Sequence, residues 1–164
     1  ADPLFADGRA TRAPVEGTVA RGELDTDTRY VRGVESDGKT LVKEPPVPVT
    51  MEVLRRGQER YGIYCASCHG LSGYGNGMVA VRAAELADQG QAKWTAPLSY
   101  HDKRVLEREA GSMFSTITNG VRTMPPYGSK IGVADRWAIV WYVRALQRSQ
   151  HAPLEAVPPE KREV

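Results

Sequence analysis

The chain has 164 residues, a formal net charge of +2, 41% hydrophobic residues and 26% charged residues. This composition argues against wholesale disorder and fits one modest folded domain with extensions. The 22 basic and 20 acidic side chains nearly balance, so we expect no nucleic-acid partner, which would require a clustered basic surface. No run approaches the roughly 18 consecutive apolar residues that span a bilayer.

The composition of residues 1–49 predicts an extended, mostly irregular arm that ends in a proline-rich stretch. Residues 29–31 and 40–43 are strand-like, and Asp37-Gly38 between them favours a short hairpin. The arm has few large apolar side chains, so folding alone cannot offset the entropy of ordering it. We therefore expect it to dock on a partner rather than to stabilise the domain that follows.

Helical periodicity begins after Thr50, a candidate N-cap, and predicts an all-α domain over residues 50–150. The first helix leads to the cysteines, and a loop with four glycines in residues 70–77 follows. We expect an irregular tail over residues 151–164. Further helices are predicted within residues 79–88, 105–118 (as two short helices) and 134–147.

The two cysteines of the chain stand in the motif Cys65-Ala66-Ser67-Cys68-His69. A Cys-x-x-Cys-His motif is the attachment signature of a c-type haem. The two thiols would bond to the two vinyl groups of the porphyrin, and the imidazole that follows would reach the iron. The motif therefore predicts one covalently attached haem c, with Cys65 and Cys68 as the attachment residues and His69 as the proximal ligand.

Two other interpretations of the motif remain open. The cysteines alone could form a thiol–disulfide redox site, but that interpretation leaves His69 unused and expects a βαβ context. They could also be half of a zinc site completed by His101 and His151. Those histidines lie far along the chain at irregular spacing, so haem attachment explains the motif better.

The helical part of the chain resembles a class I cytochrome c domain. It carries Gly57 and Tyr61 at four-residue steps before Cys65, and Ile139 and Tyr142 match packing positions of the family's last helix. The resemblance implies three to five helices around one covalently bound haem, with the first and last helices crossing closely at Gly57.

The loop over residues 119–128 resembles the family's Gly-x-x-x-Met-Pro ligand loop, which implies Met124 as the second iron ligand. The family also places a proline carbonyl against the proximal histidine. This implies that Pro97 accepts a hydrogen bond from His69 and that Leu98 packs on the porphyrin. Candidates for contact with the haem edge or propionates are Trp94, Arg122, Tyr127 and Trp137.

Residues 7–22, together with the Met-Pro-Pro-Tyr-Gly run and residues 135–140, resemble the monohaem cytochrome c subunit of bacterial alternative complex III. That resemblance implies an electron-transfer subunit of a membrane quinol-oxidising complex, on the periplasmic side of the inner membrane. Its partners would be other subunits of the complex and a redox-partner cytochrome or oxidase. In the family the arm follows a lipidated cysteine, so we expect any such anchor upstream of Ala1.

Other functions are compatible with the same motif. A soluble or dehydrogenase-linked periplasmic cytochrome would carry the same haem and ligands. A gas-binding or catalytic haem domain would need a displaceable sixth ligand, and a purely structural haem module would have no redox function. We expect electron transfer rather than catalysis, because ligation by both His69 and Met124 leaves no open position on the iron.

Overall fold

The computed structural model describes residues 26–162 without a break, together with residues 6, 15 and 17–19. The described part is all-helical, as predicted. It contains two isolated β-bridges but no β-strand. No helix in these residues is long and apolar enough to cross a bilayer. The seven α-helices of the described chain are α1 (Thr28–Arg32), α2 (Met51–Tyr64), α3 (Ala66–His69), α4 (Met78–Asp88), α5 (Lys103–Leu106), α6 (Ala110–Asn119) and α7 (Val133–His151), and two short 3-10 turns follow at Leu154–Ala156 and Pro159–Lys161.

Helix α2 begins at the predicted cap. The Thr50 side chain accepts a hydrogen bond from the backbone N–H of Val53 at 3.2 Å, which satisfies one of the unpaired donors of the first turn. Glu52 in that turn complements the positive end of the helix. Within α2 the side chain of Tyr61 is fully buried, and the helix runs directly into the cysteine motif.

Helices α2 and α7 cross in direct backbone contact, as the resemblance implied. A Cβ atom at Gly57 would overlap the carbonyl oxygen of Ala138 and lie 2.9 Å from the Cβ of Tyr142. The rings of Tyr61 and Tyr142 pack one turn away with their centroids 5.3 Å apart. Only glycine leaves room for this approach, so Gly57 sets how closely the two helices pack.

An ion-pair network closes the same crossing. The Arg56 guanidinium binds both carboxylate oxygens of Asp135, with Nε–Oδ1 and Nη2–Oδ2 distances of 2.7 and 2.9 Å. Arg60 Nε lies 3.2 Å from the same carboxylate. Asp135 lies in the first turn of α7, where its charge also complements the helix dipole. This two-point geometry fixes the rotation of α2 relative to α7.

One part of the core of the described chain lies between α6 and α7. The Phe114 and Trp137 rings stack with centroids 4.2 Å apart, and the guanidinium carbon of Arg136 lies 4.5 Å from the Phe114 centroid. Arg136 is itself buried, and burial lowers its pKa below the usual value. Its Nη1 donates to the Thr118 hydroxyl, so the cation is partnered on α6.

The expectation that the whole arm stays apart from the domain core is wrong for residues 28–49. Val42 is 0% exposed and belongs to the core cluster. The Gly111 N–H donates to the Val42 carbonyl at 2.8 Å, and the indole N–H groups of Trp137 and Trp141 donate to the carbonyls of Tyr30 and Val47 at 2.7 and 2.9 Å. These bonds use backbone groups of the arm, which composition does not reveal.

The local structure of this segment also differs in part from its prediction. Residues 29–31 form helix α1 rather than a strand, because the Asp27 side chain caps the helix at the N–H of Tyr30. The turn predicted at Asp37-Gly38 is present. It is closed by the Val34–Leu41 bridge and by the N–H of Glu35 donating to the Thr40 carbonyl at 2.7 Å.

The helix crossing generates a first prediction. Gly57→Ala should lower the free energy of unfolding by roughly 1–3 kcal/mol, because its methyl group would overlap the Ala138 backbone. Gly62→Ala on the same helix is the control, since a Cβ there meets nothing within 4 Å. The control should gain about 0.5–1 kcal/mol from helix propensity. Equal denaturation midpoints for the two variants would contradict the close crossing.

A second prediction concerns the packing of residues 28–49. Val42→Ala should cost roughly 1.5–3 kcal/mol of unfolding free energy, because it removes fully buried methyl groups and leaves a cavity. Val49→Ala, at a side chain that is 54% exposed, should change stability far less. Chemical denaturation of both variants measures the difference. If the Val42→Ala variant melts at the same temperature as the wild-type protein, residues 28–49 do not contribute to the stability of the core.

Candidate haem-binding site

The cysteine motif occupies a single helical turn. Cys65 joins α2 to α3, and its N–H continues the ladder by donating to the Tyr61 carbonyl at 2.8 Å. The His69 N–H donates to the Cys65 carbonyl, also at 2.8 Å. Both cysteines are free thiols, and Cys65 is 9% exposed. The sequence therefore folds so that two thiols and one imidazole share one short helix.

The glycine-rich loop folds back on this helix and binds its terminal carbonyl groups. The N–H groups of Gly75 and Gly77 donate to the carbonyls of His69 and Cys68 at 2.9 and 3.0 Å. A Cβ at Gly77 would overlap the Ser67 carbonyl oxygen, so the loop requires a glycine there. Its backbone satisfies the end of α3 and fixes the direction of the His69 residue.

The His69 side chain is buried, and burial lowers its pKa to about 4. It is therefore neutral at neutral pH, which is the form that binds iron through a nitrogen lone pair. Its Nδ1 atom is buried and, among the described residues, has no hydrogen-bond partner. The hydrogen bond that the resemblance implied, from His69 to the Pro97 carbonyl, is thus not formed. Instead, the Pro97 carbonyl oxygen faces the Gly75 backbone, 2.5 Å from where a Cβ would stand.

An aromatic ring that sequence reasoning did not single out packs on the His69 side chain. The Tyr100 ring lies 4.8 Å from the His69 ring, centroid to centroid, at an interplanar angle of 19°. Leu98, the residue expected on the porphyrin, is 38% exposed, and its haem contact stays a prediction. The sequence shows Tyr100 only as an aromatic residue three positions after Pro97. Its distance along the chain from His69 gave no reason to expect contact between the two rings.

Met124 lies in a tight turn that glycine and backbone bonds define. Val121 and Met124 exchange both of their backbone N–H···O bonds, at 2.9 and 3.0 Å. Gly120 enters the turn at φ +73, and Arg122 within it has φ 52. The Thr123 hydroxyl donates to the Thr95 carbonyl at 3.3 Å, which ties the turn to the segment that leads to Pro97. Met124 itself is half-buried.

Tyr127 follows on the same loop and reaches the cysteines. Its N–H donates to the Ile117 carbonyl at 3.0 Å, and its ring packs edge-on against Tyr64 with centroids 6.2 Å apart. Burial raises the pKa of Tyr127, and the neighbouring Cys65 and Cys68 thiol groups raise it further. The structure thus brings Tyr127 together with the motif, as a residue that lines a haem site would be.

The three remaining candidates for contact with the haem lie in different environments. The Trp94 indole nitrogen is buried with no partner among the described residues, so it is free to donate to a bound group. Trp137 is fully buried in the α6–α7 core and donates to Tyr30, which removes it from the list of haem contacts. Arg122 is exposed.

The two competing interpretations of the motif fit the geometry poorly. Within the described residues, no group of three or more His, Cys, Asp or Glu side chains is placed to hold a metal ion. His101 Nε2 pairs with the Ser72 carbonyl at 2.8 Å, and His151 Nδ1 with the Gln147 carbonyl at 3.0 Å. Burial raises the pKa of the Cys65 thiol to about 12, whereas redox-active thiols have lowered pKa values.

Comparison with known proteins agrees with this geometry. Residues 52–143 match the family model described as cytochrome c oxidase, cbb3-type, subunit III, over more than half of the chain. The chain belongs to this cytochrome c family. The matched region begins in α2 and ends within α7, so it contains the helix crossing, the motif and the Met124 turn. Membership of the family means that this cytochrome domain uses a haem c for electron transfer.

Other comparisons add a structural neighbour. No curated protein matches the chain. Among solved structures, a reducing HAO-like protein complex from Kuenenia stuttgartiensis is similar to this cytochrome at 20% sequence identity and a TM-score of 0.49. The similarity covers 62% of this chain and 46% of that chain. The cytochrome therefore spans less than half of the length of that neighbour.

The geometry of the Met124 turn generates a third prediction. Gly120→Ala should lower the free energy of unfolding by roughly 2–5 kcal/mol, because φ 73 with ψ 172 is a conformation almost restricted to glycine and the new Cβ would lie 2.5 Å from the Met124 carbonyl oxygen. Gly90→Ala is the matched control, with φ +71 and open space around it. It should show only the backbone strain, about 1–2 kcal/mol. Equal losses in thermal melts would mean that Gly120 does not shape the turn.

Proposed function

We propose that this cytochrome carries one haem c, bound through thioethers from Cys65 and Cys68, with His69 and Met124 as its axial iron ligands. The carrying observation is the placement of two free thiols and one buried, neutral imidazole on a single helical turn. When bound, the haem iron supplies a one-electron change between ferric and ferrous states. The proposed role of the chain is electron transfer.

The residues around the motif each have a definite task in this proposal. Burial keeps the His69 imidazole uncharged, so Nε2 offers a lone pair to the metal while the proton stays on Nδ1. The Met124 turn presents a neutral thioether, which favours ferrous iron more than an anionic ligand would. Tyr127 and Tyr64 pack edge-on against each other beside the cysteines.

Covalent attachment and closed ligation are tested together. After acid–acetone extraction, the protein should keep its colour, and its intact mass should exceed the polypeptide mass by one haem. Reduced-minus-oxidised visible spectra should show a low-spin haem that carbon monoxide does not change. Loss of pigment on extraction would overturn thioether attachment. Rapid binding of carbon monoxide would instead indicate an open sixth position, as in a gas-binding or catalytic haem.

A fourth prediction tests the second ligand. Met124→His should keep a six-coordinate, low-spin haem but lower the reduction potential, because imidazole stabilises ferric iron more than a thioether does. Met113→Leu is the control, since Met113 is buried on α6 in the core cluster. That volume-conserving change should cost less than about 1.5 kcal/mol and leave the potential unchanged. Control of the spectrum by Met113 rather than Met124 would refute the assignment.

We further propose that the chain is a subunit of a quinol-oxidising complex resembling alternative complex III, on the periplasmic side of the inner membrane. The support is the resemblance of residues 7–22 and of the Met-Pro-Pro-Tyr-Gly run. Thioether assembly in c-type cytochromes takes place outside the cytoplasm, which is consistent with export. The partners would be other subunits of the complex and a cytochrome or oxidase that accepts the electron.

Truncation of the arm tests whether it binds the complex without contributing to the folding of the cytochrome domain. Because residues 28–49 pack on the core, only residues 1–25 should be removed. The truncated protein should keep the spectrum and thermal melt of the full chain but should no longer co-purify with quinol-oxidising activity from membranes. Retention of the truncated chain in that fraction would count against docking through the arm. A full-length chain found only in the soluble fraction would favour a periplasmic shuttle.

A further inference from the structure

The proximal histidine lacks the hydrogen bond that usually orients a metal-binding imidazole. A ligating histidine generally donates its second ring N–H to a carbonyl, a carboxylate or water, and this bond sets the plane of the ring. In the described part of this chain, His69 Nδ1 is buried and has no such partner. Another contact must therefore set the plane of the His69 ring.

Tyr100 makes that contact. Its ring and the imidazole are nearly parallel, at 19°, and the centroids are 4.8 Å apart, which is within the range of offset stacking. Rotation of the imidazole about its χ2 bond would drive its edge into the phenol face. The stacked ring thus restricts the same angle that a hydrogen bond from Nδ1 would restrict, and it covers one face of the imidazole.

Tyr100 is itself held from three sides. Its N–H donates to the Gly73 carbonyl at 2.8 Å, and its own carbonyl accepts a bond from Gln147 Nε2 at 3.0 Å. A Cβ at Gly73 would lie 2.5 Å from the Tyr100 ring, so the loop glycine lies directly against it. Tyr61 packs on its edge with centroids 6.2 Å apart. The ring therefore has little freedom to leave His69.

We propose that Tyr100 is a positioning residue for the haem iron: its stacked ring holds the plane of the ligating His69 imidazole and keeps water from Nδ1. This inference rests on the proposed function, in which His69 is the proximal ligand. An imidazole whose Nδ1 proton has no acceptor is a weaker base than a hydrogen-bonded one. The arrangement therefore favours the ferrous state.

Two substitutions at this position separate the ring from its hydroxyl. Tyr100→Leu removes the stacked ring, and water then reaches Nδ1. In the electron paramagnetic resonance spectrum of the ferric protein, the g-values should shift or the signals should broaden. The reduction potential should fall. Tyr100→Phe keeps the ring and should retain the wild-type g-values and potential. Val42→Ala is the control, because Val42 is fully buried where the arm bonds to Gly111 of α6. It should lower the melting temperature while leaving both iron readouts unchanged.

The outcomes discriminate between the possibilities. Wild-type g-values and potential in a low-spin Tyr100→Leu protein would overturn this inference alone. Equal changes in the Phe and Leu variants would assign the effect to the hydroxyl and would also overturn it. If the spectrum of the wild-type protein shows that no histidine binds the iron, the proposed function is overturned as well.

A measurement on the unmodified protein decides the case in which Tyr100→Leu takes up no haem. In the reduced holoprotein, nuclear Overhauser contacts between the Tyr100 ring protons and the His69 imidazole protons should be present. Their absence would overturn the inference, and their presence would support it.

Discussion

The close approach of α2 and α7 at Gly57 is the constraint on which the rest of the molecule depends. Helix α2 runs directly into the cysteine motif, so the position of α2 on α7 also sets the position of Cys65 and His69. Helix α7 carries Gln147, whose side chain holds the Tyr100 backbone. One backbone contact therefore aligns the cysteine motif with the residue that packs on the His69 imidazole.

Features that depend on local chemistry were predictable from the sequence. The Thr50 cap and the break at the glycine-rich loop each follow from a rule that acts within one helix or one turn. The small residue at the crossing came from the family resemblance, which the structure agrees with. The motif is equally local, because Cys65, Cys68 and His69 lie within one short stretch of helix. The motif could therefore indicate a cytochrome c domain before any tertiary contact was known, and the family match agrees with that prediction.

Features that depend on long-range backbone contacts were not predictable. Residues 28–49 join the core through carbonyl groups of Tyr30, Val42 and Val47, and every amino acid has a carbonyl. Composition therefore gave no indication that residues 28–49 bond to the core of the domain. Likewise, the bond expected between His69 and Pro97 came from a family pattern, and the long loop between them places the Pro97 carbonyl against Gly75 instead.

Burial of Cys65 has a consequence for the biogenesis of the protein. In the folded chain this thiol is 9% exposed, and its raised pKa, about 12, keeps it protonated. A protonated, enclosed sulfur is a poor nucleophile and is inaccessible to a maturation enzyme. On the proposal that Cys65 carries a thioether, the folded chain would therefore resist attachment at this sulfur, and the haem would bond to a chain in which Cys65 is still exposed.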